Sequence, residues 1–354
     1  MTKLFSPIIL RDFEFPNRAW LPPICQYQAV EGLPQDWHLV HYGSRAAGGF
    51  GLIIVEATAV SPEGRISPNC AGIWNDEQRD KRKEIVEFSH SLNAPIGIQL
   101  GHAGRKASTH PMLPGYVRGS VPLEEGGWET IGPSAISYPG YTAPREMSTQ
   151  DVAATVEHFA AAAKRAVEAG FDTIELHGAH GYLLHNFLSP LSNQRIDSYG
   201  GRFENRVRFP LEVVDAVRAV IPQGMPLIMR VSATDWVTDR LAWDVEQTIE
   251  FARLLREHDV DFVDVSTGGN EHAEIPVGHE YQVEYATRVR EAGLPVSTVG
   301  LITEAQHAEQ ILSDDRADVI EIGRAALKDA YWARHATEEL GEPLEPLPSY
   351  SRAK

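Results

Sequence analysis

Two cysteines, Cys25 and Cys70, are all the thiols this chain has, too few for the four thiolates an iron–sulfur cluster usually takes. Positive charge is also scarce: 32 Lys and Arg face 49 Asp and Glu, a net charge of −17. That balance disfavours nucleic acid and anionic membrane surfaces as partners. Any anionic ligand must then be held by individually placed arginines or helix N-termini. No apolar run approaches the roughly 20 residues of a membrane span, and no basic n-region with an apolar stretch behind it opens the chain. A reduced, cytoplasmic protein is expected. A glycine-rich dinucleotide turn is missing too: the first strand-like run leads into Pro22-Pro23-Ile24-Cys25, which speaks against a doubly wound nucleotide-binding sheet.

What is present is an alternation. The 354 residues, 43% of them hydrophobic, can bury a large core, and a single domain over 1–354 is expected. Short apolar runs bounded by turn residues occur at 18–21, 52–57, 96–100, 173–177, 227–231, 262–266, 296–299 and 318–322, the pattern of buried parallel strands. Helix-period segments lie between them at 76–92, 148–169, 202–220, 244–258, 304–313 and 331–340, with shorter ones at 38–47 and 281–292. The segment 148–169 opens on a Ser-x-x-Asp box and stops at Gly170, a helix start and stop in sequence. Eight strands each followed by a helix predict a (β/α)8 TIM barrel. Residues 1–17 read as an N-terminal hairpin lid, 341–354 as a C-terminal tail, and the Gly-, Pro- and Ser-rich stretch 101–147 as a long loop capping the barrel mouth after the third strand.

In such a barrel, functional groups gather at the C-terminal ends of the strands. Those ends carry Pro23, Cys25 and Tyr27, then Glu56 to Ala59, then Gln99, His102 and Arg105. The fourth gives His177, His180 and Tyr182, the fifth Arg230, the sixth Ser266 to Gly269, the seventh Gly300, and the eighth Gly323 and Arg324. Loops seven and eight form the usual phosphate cradle of these barrels, so Gly300 and Gly323 would bring backbone N–H groups to a phosphate and Arg324 a bidentate fork. Arg230, ending an apolar run, either makes a buried salt bridge or meets developing negative charge on a ligand. His177 and His180 at i and i+3, with Tyr182 beside them, are donors collected for a polar ligand. His-x-x-His also chelates metal, with His102 the nearest candidate for a third ligand, and a barrel metallohydrolase stays open on these residues alone.

Ordered motifs run along the chain: Pro22-Pro23-Ile24-Cys25-Gln26-Tyr27, Val55-Glu56-Ala57-Thr58-Ala59-Val60 with Gly64-Arg65-Ile66, and Gly97-Ile98-Gln99-Leu100-Gly101-His102-Ala103-Gly104-Arg105-Lys106. His177-Gly178-Ala179-His180-Gly181-Tyr182, Asn193-Gln194-Arg195, Arg230-Val231-Ser232 and Ile322-Gly323-Arg324 follow. Together they resemble the Old Yellow Enzyme family of FMN-dependent ene-reductases over essentially the whole chain, and most of all its thermophilic-like branch, which includes xenobiotic reductases. The resemblance implies non-covalent FMN across the mouth, held by Pro23, Cys25, Ala57, Gln99, Arg230, Gly300, Gly323 and Arg324, with no metal. Cys25 would tune the flavin. His177 and His180 would bind the oxygen of an α,β-unsaturated carbonyl compound, maleimide or nitroalkene, with Tyr27 as a further substrate contact.

The implied cycle is ping-pong: NADPH or NADH reduces FMN and leaves, hydride then passes from N5 to Cβ, and Tyr182 protonates Cα. Arg352 matches an arginine that members of this branch insert into a neighbouring active site, which implies a homodimer or homotetramer. Three features depart from the pattern, one being that the chain ends Arg352-Ala353-Lys354 without the aromatic some relatives carry there. Gly178 stands where alanine is usual, and the 109–132 insertion is longer than in the shortest relatives. The readings from other classes are the metallohydrolase and a non-catalytic flavin-binding barrel.

Overall fold

The computed structural model describes residues 2–352; the last two residues of the expected tail lie outside them. Two hairpin strands, β1 (Ile8–Leu10) and β2 (Phe13–Phe15), come before the barrel strands β3 (Ala19–Leu21), β4 (Leu52–Ala59) and β5 (Ile96–Gly101). A two-residue parallel pair, β6 (Ile131–Gly132) and β7 (Arg145–Glu146), lies in the long connection that follows. The barrel strands β8 (Thr173–Gly178), β9 (Leu227–Ser232), β10 (Phe262–Ser266), β11 (Val296–Thr298) and β12 (Val319–Glu321) complete the series. Neighbours in chain order pair in parallel, and β12 returns to β3 to close the barrel. Every residue of β5, β8, β9 and β10 is buried, because helices cover the outer face while side chains fill the lumen.

The helices are α1 (Asp36–Ala47), α2 (Asp76–Ser91), α3 (Thr149–Ala169), α4 (Leu183–Leu188), α5 (Phe203–Arg206), α6 (Arg208–Arg218), α7 (Val245–Glu257), α8 (Val283–Val289), α9 (Ala305–Ser313), α10 (Arg324–Lys328) and α11 (Trp332–Glu339). α3 starts on the expected box: Asp151 N–H donates to Ser148 Oγ at 3.1 Å, and Ser148 N–H donates to the Asp151 carboxylate at 2.8 Å. Gly170, at φ +93°, ends it. The continuous helix expected over 202–220 is instead two, parted at Val207. Pro210 has no N–H for the carbonyl of Arg206, so one straight helix cannot run through both. No helix among the described residues is long and apolar enough to cross a membrane.

The hairpin expected as a lid closes the end of the barrel away from the mouth. Ile8, Leu10 and Phe15 pack on Trp20, Leu52, Ile54, Ile228, Phe262 and Val319, near the N-terminal ends of the strands, and so form a floor. Arg11 fastens the turn there, with Nε 2.5 Å from the Asp261 carboxylate and Nη1 donating to Gln223 O at 3.0 Å. The mouth is covered by the loop after β5, which is less irregular than its composition suggests. A Thr109–Ser120 bridge and the β6–β7 pair brace it, and Trp128 Nε1 donates to Glu63 O at 2.8 Å.

Candidate active site

The turn after β8 has a conformation that its residues do not choose alone. His180 lies at φ +57° and Gly181 at +71°, the left-handed region that L side chains seldom enter. Gly181 is required, since a Cβ there would lie 2.3 Å from Gly269 O. Groups from below hold the turn. His185 Nδ1 accepts from Gly181 N–H at 3.0 Å, and its far nitrogen lies 3.1 Å from Asp235, both side chains fully buried. Asn186 Nδ2 donates to Gly181 O at 2.8 Å. Lys106 Nζ donates to His180 O and Gly269 O, each at 2.8 Å.

The result is a compact triangle of rings. His177 and His180 are perpendicular with centroids 5.3 Å apart, and Tyr182 meets His177 edge-on at 4.8 Å. His177 Nδ1 accepts from Ala179 N–H at 3.3 Å, which leaves Nε2 as the protonated nitrogen of the neutral ring. His180 Nε2 lies 2.7 Å from Ser266 Oγ. Burial, then the Arg230 charge, lowers both imidazoles well below the ordinary histidine range, so they work as neutral hydrogen-bonding groups. Burial raises the Tyr182 phenol well above its ordinary value, and it keeps its proton.

Two adjoining cavities connect these rings to the far side of the mouth. One, of about 370 Å³, is lined by Pro23, Cys25, Tyr27, Ala57, Gln99, His177, His180, Tyr182 and Arg230. The other, of about 250 Å³, shares Pro23, Ile24 and Arg230 and ends at Gly300, Gly323 and Arg324. All the expected site residues except Arg352 therefore face one trench. Arg352 is exposed beyond α11 and lines neither cavity. Tyr27 also has a left-handed backbone, φ +55°. The Cys25 thiol is pushed well above its usual range, first by its hydrogen bond with Cys70 and then by burial.

Arg230 marks the junction of the cavities, and the barrel lumen supplies its counter-charge. Its Nε is 2.9 Å from Asp264 and its Nη2 3.5 Å from Glu321. Burial works against the guanidinium charge, but Asp264, Glu321 and Glu175 outweigh it. Burial, and then the neighbouring Asp264, raises Glu175 and Glu321 well above the carboxylate range. Gln99 Nε2 donates to Glu175 Oε1 at 2.6 Å. Arg230 is thus both salt-bridged and facing the cavity, the two alternatives its sequence position left open.

The residues fit a flat ring system with a phosphate tail. Gly300 sits at φ +129°, where a Cβ would come within 2.8 Å of the Tyr281 ring and 2.9 Å of Gln282 Nε2, so only glycine serves. Gly323 is under no such steric demand, with Pro22 Cγ its nearest would-be neighbour at 3.6 Å. Arg324 is exposed at the cavity edge and makes no hydrogen bond or ion pair among the described residues, a free guanidinium at the expected phosphate end.

A metal reading finds less support. Among the described residues, the triads that could share an ion are His279–Glu280–His307 and Glu175–Asp264–Glu321, and neither contains His177, His180 or His102. His102 Nδ1 instead accepts from Gly104 N–H at 3.0 Å, and burial lowers the ring to about 4.

Sequence reasoning gave no role to several groups that shape the site. Lys106, Asp264 and Glu321 stand in this class, as does Gln282, whose Oε1 lies 3.2 Å from Ser266 Oγ and whose amide donates to Val299 O at 2.9 Å. A signal existed for two of them. Asp264 in Phe-Val-Asp-Val-Ser and Glu321 in Val-Ile-Glu-Ile are charges inside apolar runs, which in a barrel strand marks a group that needs a buried partner. Gly178, the unusual letter, is packed tightly: a Cβ would lie 2.8 Å from Arg230 O and 2.9 Å from Met229 Sδ.

The chain is similar to known flavin oxidoreductases. Residues 3–342 match the family model described as the NADH:flavin oxidoreductase / NADH oxidase family. An NADPH dehydrogenase of Listeria innocua is 45% identical over 357 residues, covering 100% of this chain and 99% of that protein. Morphinone reductase in complex with tetrahydroNAD superposes with a TM-score of 0.79 at 29% identity, over 98% of this chain and 93% of that one. An old yellow enzyme homologue from Zymomonas mobilis gives 0.81 at 28% identity, over 97% and 94%.

Proposed function

The chain belongs to the NADH:flavin oxidoreductase / NADH oxidase family, and from that premise we propose that it reduces the activated C=C bond of α,β-unsaturated carbonyl compounds, maleimides or nitroalkenes. It is an FMN-dependent NADPH oxidoreductase of the Old Yellow Enzyme type. Pro23, Cys25, Ala57, Gln99 and Arg230 would hold the ring system, with Gly300, Gly323 and Arg324 at the phosphate. When bound there, FMN supplies a two-electron store that takes hydride from NADPH or NADH and yields it to the alkene.

The chain's own residues do the rest. His177 and His180 receive the carbonyl or nitro oxygen as neutral groups and draw electron density off the conjugated bond. Tyr182 gives its proton to Cα, and its raised phenol pKa suits a donor that must react only with a strong base. Tyr27 contacts the substrate as a further wall residue, and the Arg230 cation balances negative charge on the reduced ring. Cys25, held as a thiol, adjusts the ring's environment. Arg352 completes the pocket of a neighbouring subunit in a homodimer or homotetramer.

The observation that carries this reading is the trench itself, which runs from a free arginine to two neutral imidazoles and a protonated phenol. Its test is optical. The purified protein should be yellow, bleach anaerobically with NADPH, and regain colour with cyclohexenone or N-methylmaleimide. Colourless protein that takes up no FMN would overturn the reading. Flavin that binds without steady turnover would make the barrel a binding protein. Unchanged assembly and kinetics in Arg352→Ala would remove the intersubunit role.

A further inference from the structure

NADPH brings more than a nicotinamide ring. Its pyrophosphate and 2′-phosphate must be accommodated by a chain of net charge −17, so local cations are needed near the mouth. A third cavity of about 240 Å³ adjoins the imidazole end of the trench, sharing Ile66, Met112 and Tyr182 with it. Its walls come from the long loop after β5 and carry Lys106, Arg118, Tyr138 and Tyr141, with His272 opposite. The two tyrosine rings are 5.1 Å apart, and His272 lies 5.2 Å from Tyr138.

Of the cations at this annex, Lys106 is partly discharged near neutral pH, because burial and then Arg105 lower its ammonium to about 7, which leaves Arg118 as the fully charged free one. Lys106 Nζ stands 4.5 Å above the Tyr138 ring and 5.3 Å from that of Tyr182. The Arg105 guanidinium lies 5.8 Å from Tyr138, although its Nη groups donate to backbone oxygens of Ile136, Ser137 and Asn270. Glu271 is the opposing carboxylate, 3.8 Å from Arg240. Arg118, by contrast, is exposed and has no hydrogen bond or ion pair among the described residues. A free guanidinium beside tyrosine faces suits a phosphate attached to a sugar and a flat base.

We propose that the annex receives the phosphate-bearing half of the reduced nicotinamide dinucleotide, with Arg118 as its phosphate-reading residue. The proposal rests on the flavin reading of the trench, and it gives the 109–132 insertion a task. It also explains how an acidic protein without a dinucleotide fold holds a polyanionic hydride donor. The cations stand on the loop that covers the mouth and so do not burden the barrel core.

Anaerobic rapid mixing of the FMN-loaded enzyme with NADPH, and separately with NADH, tests it. In Arg118→Ala the NADPH concentration giving half-maximal flavin reduction should rise about tenfold, the loss of one charge-assisted contact. The limiting rate should change much less, and Arg118→Lys should restore most of the affinity. Added salt should weaken NADPH binding in the parent enzyme more than in Arg118→Ala. Unchanged half-saturation for both nucleotides in Arg118→Ala overturns the proposal while leaving the flavin reading intact. A parent protein whose flavin neither nucleotide reduces overturns the flavin reading instead.

Discussion

The two ends of this barrel use the same eight strands to opposite purposes. At the floor, Trp20, Leu52, Ile54, Ile228, Phe262 and Val319 meet the hairpin's Ile8, Leu10 and Phe15 in a wholly apolar cluster. At the mouth, barrel strands end in Gln99, His177, Arg230 and Ser266, with Glu175, Asp264 and Glu321 buried behind them. The floor is held by apolar burial, which is non-directional and tolerant of small changes. The mouth is held by ion pairs and hydrogen bonds that work only in one geometry, and it contains left-handed backbone at Tyr27 and His180. Stability and chemistry are therefore separated along the barrel axis, with Arg230 belonging to both.

Substitutions at the two ends can break that division. The largest effect should come from Tyr182→Phe, which removes the proton donor. Re-oxidation of reduced enzyme by cyclohexenone should slow by about two to four orders of magnitude, with anaerobic bleaching by NADPH and the unfolding midpoint little changed. An equal loss in both half-reactions would mean that Tyr182 only shapes the pocket.

Arg230→Met comes next. It leaves Asp264 without its cation in the lumen, at a cost of about 3–5 kcal/mol, and the protein should also lose its yellow colour on dialysis. Denaturant unfolding of apoprotein separates the two effects, and full stability would show that the carboxylates simply protonate. Phe15→Ala tests the floor. It should cost about 3 kcal/mol of stability while the folded enzyme keeps its turnover number, whereas a fall in turnover at temperatures where the variant is fully folded would join the two ends.

The smallest expected effect concerns pH. Burial and Arg230 lower His177 and His180 well below the ordinary range. They are neutral above about pH 6.5 and remain so as pH falls through that value, since only acid well below it protonates them. The KM for an uncharged enone should then stay flat from about pH 8 to about pH 5.5, where ordinary imidazoles would produce an inflection near 6.5. An inflection that persists in Lys106→Met, which removes the neighbouring ammonium that burial lowers to about 7, would show that these rings titrate normally and that the mouth is wetter than its burial implies.

Much of this was legible in the chain. The barrel strands appeared as apolar runs within one or two residues of their bounds, and His177, His180 and Tyr182 stood together because a single turn carries them. The hairpin was legible as a hairpin, but nothing local said which end it closes. The 202–220 helix was read through Pro210, whose missing N–H the periodicity concealed.

By itself, the sequence determined the strands, the helices and the roster of groups at the strand ends, because the periodicity of burial is a property of neighbours along the chain. Closure of the barrel decided the rest. It set Arg230 between Asp264 and Glu321, Gln99 against Glu175, and Lys106 beneath His180, partners that are distant in sequence. Coulomb forces and desolvation depend on distance and dielectric in space. The neutrality of the imidazoles, the retained phenol proton and the charge of Arg230 could therefore be settled only by the tertiary structure.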